Sequence, residues 1–361
     1  MFGKDLFGLK TLLLQIGHGG HPHQLISSPL TTIVGVVYTL LNYLIWILAS
    51  VKNERRPRIR VVCVSDTHSQ RCDIPYGDLL IHAGDLSLDG SAAEIQEAID
   101  WLKSLPHPHK VVICGNSDRF FDIRSRLADD AVTTSSVESG PRERVPPPQR
   151  PGTAFDWGDI HYLQQASVSL TFPGASSGVP RQINIYGAPQ VPVCGGPENA
   201  FQYPVDHNPW SGNIPASTDI LVTHTPPKFH LDWYHDSPEG CPFLLQELWK
   251  VRPLLHVFGH VHTSYGSERV HWDTSQRWWE RYCLGLSKLS STGLGLFGRA
   301  DFLQPRLWLD AAMVLLAAMS TIVREMVGLR HREKSSTLMV NAACMSEDGL
   351  TLSKEPIVVY I

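Results

Sequence analysis

The 361-residue chain has no Cys-x-x-Cys pair, and its seven cysteines (positions 63, 72, 114, 194, 241, 283 and 344) are an odd number scattered from end to end. That spacing argues against a zinc knuckle and against a disulfide framework. Cys63 and Cys114 lie inside apolar runs, the ordinary place of a buried free thiol, so a reducing compartment is expected. Positive charge is not in excess either: 31 Lys and Arg stand against 35 Asp and Glu, a net charge of -4. A nucleic-acid-binding surface would favour a basic domain with interleaved aromatics, so no nucleic-acid partner is expected. Charge is sparse altogether, at 18% of residues, and residues 30–51 carry none.

That uncharged stretch of 22 residues starts too late and runs too long for a cleavable signal peptide. As a helix it would reach ~33 Å, against a hydrocarbon core of ~30 Å. Residues 1–57 are therefore read as an N-terminal segment with a membrane helix over 30–51. Lys52, Arg55, Arg56, Arg58 and Arg60 follow it, whereas only Lys4 and Lys10 precede it. The positive-inside tendency then implies a single-pass membrane protein whose C-terminal part faces the cytoplasm.

Histidine, by contrast, is plentiful, with 17 residues. Several fall at the ends of strand-like runs. Arg60 to Val64 is apolar and β-branched, and it ends in Ser65-Asp66-Thr67-His68. Residues two apart in a strand share a face. At the carboxyl end of an open α/β sheet they would point into the ligand-binding crevice. Asp with His suits Mn, Fe or Zn. The same event recurs four times. Leu79 to Ala83 ends in Gly84-Asp85, and Lys110 to Cys114 ends in Gly115-Asn116. Asp219 to Thr223 ends in His224, and Leu254 to Phe258 ends in Gly259-His260-Val261-His262. A repeated delivery of metal-capable side chains at strand ends points to one assembled site.

Between these runs, apolar spacing predicts a helix over 91–105, stopped by Pro106, giving a βαβ order. Strands are expected over 166–172 and 182–187, and a short helix over 244–251. Asp122 to Arg150 loses periodicity and reads as a loop insertion.

The ordered set Asp66-Thr67-His68, Gly84-Asp85, Gly115-Asn116, His224 and Gly259-His260-Val261-His262 resembles the calcineurin-like metallophosphoesterases. Ile185 to Pro189, Asp219 to Pro227 and Arg252 to His260 look like the branch of metallophosphoesterase domain-containing proteins, as do Val340 to Ala343 and Pro356 to Val359. The resemblance implies an α/β (α+β) fold, a two-sheet β-sandwich flanked by helices with a dinuclear metal site at strand ends. It divides the chain into a core over 58–272, an insertion with an apolar helix over 273–338, and closing strands over 339–361. It also implies two divalent metal ions (Mn, Fe or Zn). Asp66, His68 and His262 would hold the first, Asn116, His224 and His260 the second, and Asp85 would bridge them. Asp85, Asn116 and His224 would serve catalysis. The expected reaction is hydrolysis of a small phosphate monoester or diester by metal-activated hydroxide.

One departure stands out. The family usually has Gly-Asn-His followed by an acid, whereas this chain has Gly115-Asn116-Ser117-Asp118. A serine can donate a hydrogen bond but cannot carry positive charge. Loss of a general acid typically costs ~10²–10⁴ in rate. His82, His256 or a histidine between 207 and 235 is a candidate replacement. A second reading follows from Ser117: a weakly active or inactive metal-binding relative acting as a membrane-tethered scaffold. The apolar run Ala311 to Val323, 13 residues between Asp310 and Arg324, is short for a span and fits a buried or interfacial helix.

Overall fold

The computed structural model describes residues 29–50, 58–126, 155–174, 180–234, 237–291, 304–327 and 336–361. Most of the 122–150 insertion lies outside the described residues, as does His235. The elements in chain order are α1 (Pro29–Ser50), β1 (Arg60–Val64), β2 (Leu79–Ala83), α2 (Ala92–Ser104), β3 (His109–Ile113), β4 (Ile160–Tyr162), β5 (Ala166–Phe172) and β6 (Arg181–Ala188). The short strands β7 (Val191–Pro192) and β8 (Gln202–Tyr203) come next, then β9 (Ile220–Thr223), β10 (Trp233–Tyr234) and β11 (Ser237–Pro238). They are followed by α3 (Pro242–Val251), β12 (Leu255–Phe258), β13 (Gly266–His271), α4 (Thr274–Ser291), α5 (Pro305–Met326), β14 (Ser336–Asn341) and β15 (Ile357–Tyr360).

Two sheets form, in the orders β15-β1-β2-β3-β4 and β13-β14-β12-β9-β6-β5. Strands β1 to β4 run parallel, as do β14, β12, β9 and β6; β15, β13 and β5 are antiparallel edges. Parallel strands need apolar cover on both faces, which is why Val61 to Val64 and Leu79 to Ala83 are continuously buried. The inner faces meet in one core, where Val61, Ile81 and Val111 share a cluster with Ile185, Val222 and Val257. The outer face of the first sheet packs under Ile95, Ile99 and Leu102 of α2. The outer face of the second packs under Leu244, Leu245 and Leu248 of α3. The result is a mixed α/β fold of four layers, helix, sheet, sheet, helix. Five parallel strands, β1, β2 and β3 of one sheet and β9 and β12 of the other, lead into the loops that carry the candidate ligands, so the sandwich gathers those loops at one edge.

Helix α1 forms where the uncharged stretch predicts it, but no span is shown. One face of it packs into a bundle with α4 and α5 through Leu30, Val34 and Tyr38. The Tyr38 hydroxyl donates to Gln276 Oε1 (2.8 Å), and Gln276 Nε2 lies 3.2 Å from His230 Nε2 in the sandwich. The tenth residue of the 22-residue helix is thus within two contacts of the folded core. A lone helix crossing a bilayer would hold that residue near the bilayer centre, away from a water-soluble domain. Helix α5, Pro305–Met326, is also long and apolar enough to cross a membrane by length and composition. It is longer than the expected run because Pro305 and Leu307 extend it at the N-terminal end and Glu325 and Met326 at the other.

The bundle is fastened to the sandwich by a buried ion cluster. His230 is 1% exposed; its Nδ1 lies 2.8 Å from Glu268 Oε1 on β13, and its Nε2 lies 3.6 Å from Glu280 Oε1 on α4.

Candidate metal centre

The loops that leave β1, β2 and β12 turn sharply at their candidate ligands. Asp66, His68, Asp85 and His260 all have left-handed backbone, with φ of 54°, 44°, 54° and 70°. Such conformations are uncommon for residues with a Cβ and concentrate at functional sites. The glycines before the ligands are dictated by space. A Cβ on Gly115 would collide with Asp85 Oδ1, and one on Gly259 would collide with Asp66 Oδ2 and Ser65 Oγ. Gly-Asn and Gly-His at these strand ends therefore reflect close approach of backbone to a ligand carboxylate.

Asp66, fully buried, accepts from the His260 backbone N–H at 3.1 Å to each oxygen, and His262 Nε2 is 3.3 Å from its Oδ1. Asp85 lies between two imidazoles: His68 Nε2 is 3.6 Å from Oδ2, and His224 Nε2 is 3.4 Å from Oδ1. Asn116 Oδ1 is 3.0 Å from His224 Nε2, whose opposite nitrogen meets the Ala83 carbonyl at 2.9 Å. The His224 and His260 rings are 5.1 Å apart. All seven sequence-predicted residues (Asp66, His68, Asp85, Asn116, His224, His260, His262) thus come together. Two triads could hold an ion: Asp66, His68 and His262; and Asp66, Asp85 and His224, each with ligand atoms within 4.8 Å of one another.

The donor set fits divalent cations. Both ring nitrogens of His68 are buried without a hydrogen-bond partner, an expensive state that a metal would relieve. Burial pushes the His260 imidazole down to about 4, helped by the charge on His224, so its lone pair is free for a metal near neutrality. Burial opposes charge on His224 too, but Asp85 overrides it and raises the imidazole to about 9. Asp85 itself, despite burial, is held well below the usual carboxylate range by His224 and His68. Burial likewise opposes charge on His262, but Asp66 raises that imidazole, so both carboxylates have an imidazole whose proton they favour.

The serine in place of the family histidine is committed elsewhere. Its backbone N–H donates to Asp85 Oδ1 (2.8 Å) and its Oγ to Asp85 Oδ2 (3.0 Å). The described candidate replacement histidines are committed elsewhere or exposed. His82 is fully buried against Thr67 Oγ1 (3.0 Å), His256 against Thr223 Oγ1 (2.8 Å), and His230 serves the ion cluster. His207 is exposed beside Tyr203. Asp118 staples two ligand loops, accepting from Gly115 N, Leu86 N, Ser87 N and Ser87 Oγ at 2.7–3.2 Å. Burial, with Asp85 nearby, pushes its carboxyl up to about 6.

The sequence does not single out three supporting residues as part of the site, although Asn341 falls within the family-like stretch Val340 to Ala343. Asn199 Oδ1 accepts from Asn116 Nδ2 (3.0 Å) and orients that amide. Asn341, at the end of β14, donates to the Val261 carbonyl (2.9 Å). Lys354 Nζ donates to the His262 carbonyl (2.5 Å) and the Met345 carbonyl (2.7 Å). Each is a lone polar residue in a loop or strand end, with no spacing to mark it.

A sandwich that converges buried carboxylates, imidazoles and an amide from five strand ends defines a site of the metal-dependent hydrolase type. Residues 59–264 match the family model described as calcineurin-like phosphoesterase, and the chain belongs to that family. It is 42% identical over 235 residues to a probable rhamnogalacturonate lyase C of Emericella nidulans, covering 64% of this chain and 20% of that protein. It is 36% identical over 215 residues to Metallophosphoesterase domain-containing protein 1 of Homo sapiens, covering 57% of this chain and 61% of that one. A UPF0046 protein of Caenorhabditis elegans is 32% identical over 219 residues, 58% of this chain and 66% of that one. The chain thus spans a fifth of the first relative and less than two thirds of the other two.

Proposed function

We propose that the chain hydrolyses a phosphate monoester or diester with the help of two divalent cations, Mn, Fe or Zn. The observation that carries this reading is the pair of buried carboxylates at strand ends, Asp85 between His68 and His224 and Asp66 beside His262. Asp66, His68 and His262 would hold one ion, and Asn116, His224 and His260 the other. Asp85 has one oxygen toward His68 and one toward His224, the orientation a bridging carboxylate needs. Such ions, when bound, would polarise the phosphoryl oxygens and make hydroxide available near neutral pH. Asn199 would hold the Asn116 amide with its oxygen inward. Ser117 would fix Asp85 through two hydrogen bonds rather than protonate a leaving group. That leaves the leaving group without a dedicated acid, so esters of acidic alcohols or phenols suit the site best.

Attachment to a membrane belongs to the same proposal. It is supported by the uncharged 22-residue stretch, the five cations that follow it and the long apolar helix α5.

The test is hydrolysis of an activated aryl phosphate and of its diester, with Mn²⁺ added or chelated. Turnover should appear with metal and vanish with chelator. Ser117→His should raise turnover on esters of poor leaving groups by ~10²-fold. Metal binding without turnover on either ester would favour the scaffold reading.

A further inference from the structure

Helices α1 and α5 leave one apolar face uncovered between them. Thr31 pairs with Tyr282 (3.0 Å) and Tyr38 with Gln276, so α1 runs antiparallel to α4. Arg281 pairs with Asp310 (3.1 Å) and Thr321 with Asp273 (2.9 Å), so α5 also runs antiparallel to α4. The helices α1 and α5 are therefore parallel neighbours, joined near their starts by Leu30, Val34, Leu307 and Ala311. On α1, Ile33, Leu40, Leu44 and Ile47 fall on one stripe and are 37–61% exposed. On α5, Leu309, Leu316, Met319 and Val323 do the same at 50–65%. The contacts to α4 lie on the other side of both helices, so the two stripes open the same way. Meanwhile Arg277 and Lys288 of α4 are exposed.

An apolar surface this continuous is not ordinary solvent-facing protein. Its border says what covers it. Exposed Arg306 and Arg324 flank the α5 stripe. The sequence adds Lys52, Arg55, Arg56 and Arg58 after α1, and Arg330, Arg332 and Lys334 after α5. Because α1 and α5 are parallel, both cationic runs leave from the same end of the pair. A second copy of the chain would bring a like-charged border against this one, whereas anionic headgroups would neutralise it.

We propose that the joint face of α1 and α5 lies flat in the headgroup region of an anionic membrane, with α4 toward water. The helices would act together as an interfacial platform rather than as a crossing. This rests on the membrane attachment proposed above and names its surface.

The test is flotation of the full chain with phosphatidylcholine vesicles, with and without phosphatidylserine. The wild-type chain should float with the anionic vesicles. Leu316→Glu with Val323→Glu, and separately Leu40→Glu with Leu44→Glu, should each reduce binding by about tenfold or more. Leu284→Glu, on the exposed side of α4, should leave binding unchanged. Melting curves confirm folding, and Leu316→Asn replaces any pair that unfolds. If the stripe variants float like wild type, the platform is wrong while membrane attachment stands. If the wild-type chain floats with neither vesicle, both fail. A wild-type dimer in buffer that the stripe variants convert to monomer would make the partner a second copy and overturn the proposal.

Discussion

Asp85→Asn should lower metal-dependent ester hydrolysis roughly 10³-fold or more while leaving the fold intact. The side chain is nearly isosteric, so the collision-limited packing against Gly115 is kept. What changes is charge and acceptor capacity. An amide offers one oxygen, not two, between His68 and His224, and its NH₂ would face either an imidazole or the Ser117 donors. The negative charge that raises the His224 imidazole is also lost, so that ring should titrate lower in the metal-free protein. Steady-state turnover with Mn²⁺ and a histidine NMR titration check the two halves. Turnover within tenfold of wild type would remove Asp85 from the bridging role.

The second large effect is on stability. Burial disfavours charge on His230, but Glu268 and Glu280 overcome it and raise the imidazole to about 10, from an ordinary 6.5. A raised folded value means the fold binds the proton more tightly than the unfolded chain. The stabilisation is therefore complete below about pH 6.5 and is lost as pH rises through about 10. His230→Ala leaves two carboxylates facing a buried gap, which typically costs ~3–5 kcal/mol. Urea denaturation of wild type and variant at pH 6, 8 and 9.5 should show a gap largest at pH 6 and shrinking upward. A pH-independent gap would mean that His230 is neutral in the fold. Because Glu280 is on α4, loosening here should also weaken the docking of the helical bundle.

The strand ends were legible because chemistry and pattern coincide there. A β-branched run that stops at Gly-Asp or Gly-His announces both a buried parallel strand and a backbone forced close to a carboxylate. Sheet order was not legible, since nothing in Val340 to Ala343 says that β14 sits between β13 and β12. The uncharged stretch shows the limit most clearly. Leu30, Val34 and Tyr38 face protein while Ile33, Leu40 and Leu44 face outward, yet both sets are apolar, so hydropathy alone cannot tell a packed helix from a spanning one. Ser117 was visible as a departure, but its two bonds to Asp85 depend on a loop geometry that no local sequence encodes. Asn199 and Lys354 reach their partners from 83 and 92 residues away.

The most direct test of the account is a count of metal. The purified full chain, stripped with chelator and dialysed against Mn²⁺, should retain about two equivalents per chain. His68→Ala and His224→Ala, each removing a ligand from a different ion, should each retain about one. Two equivalents falling to one would establish a dinuclear centre built from these residues. No metal above that held by a His68→Ala, Asp85→Asn double variant would contradict it.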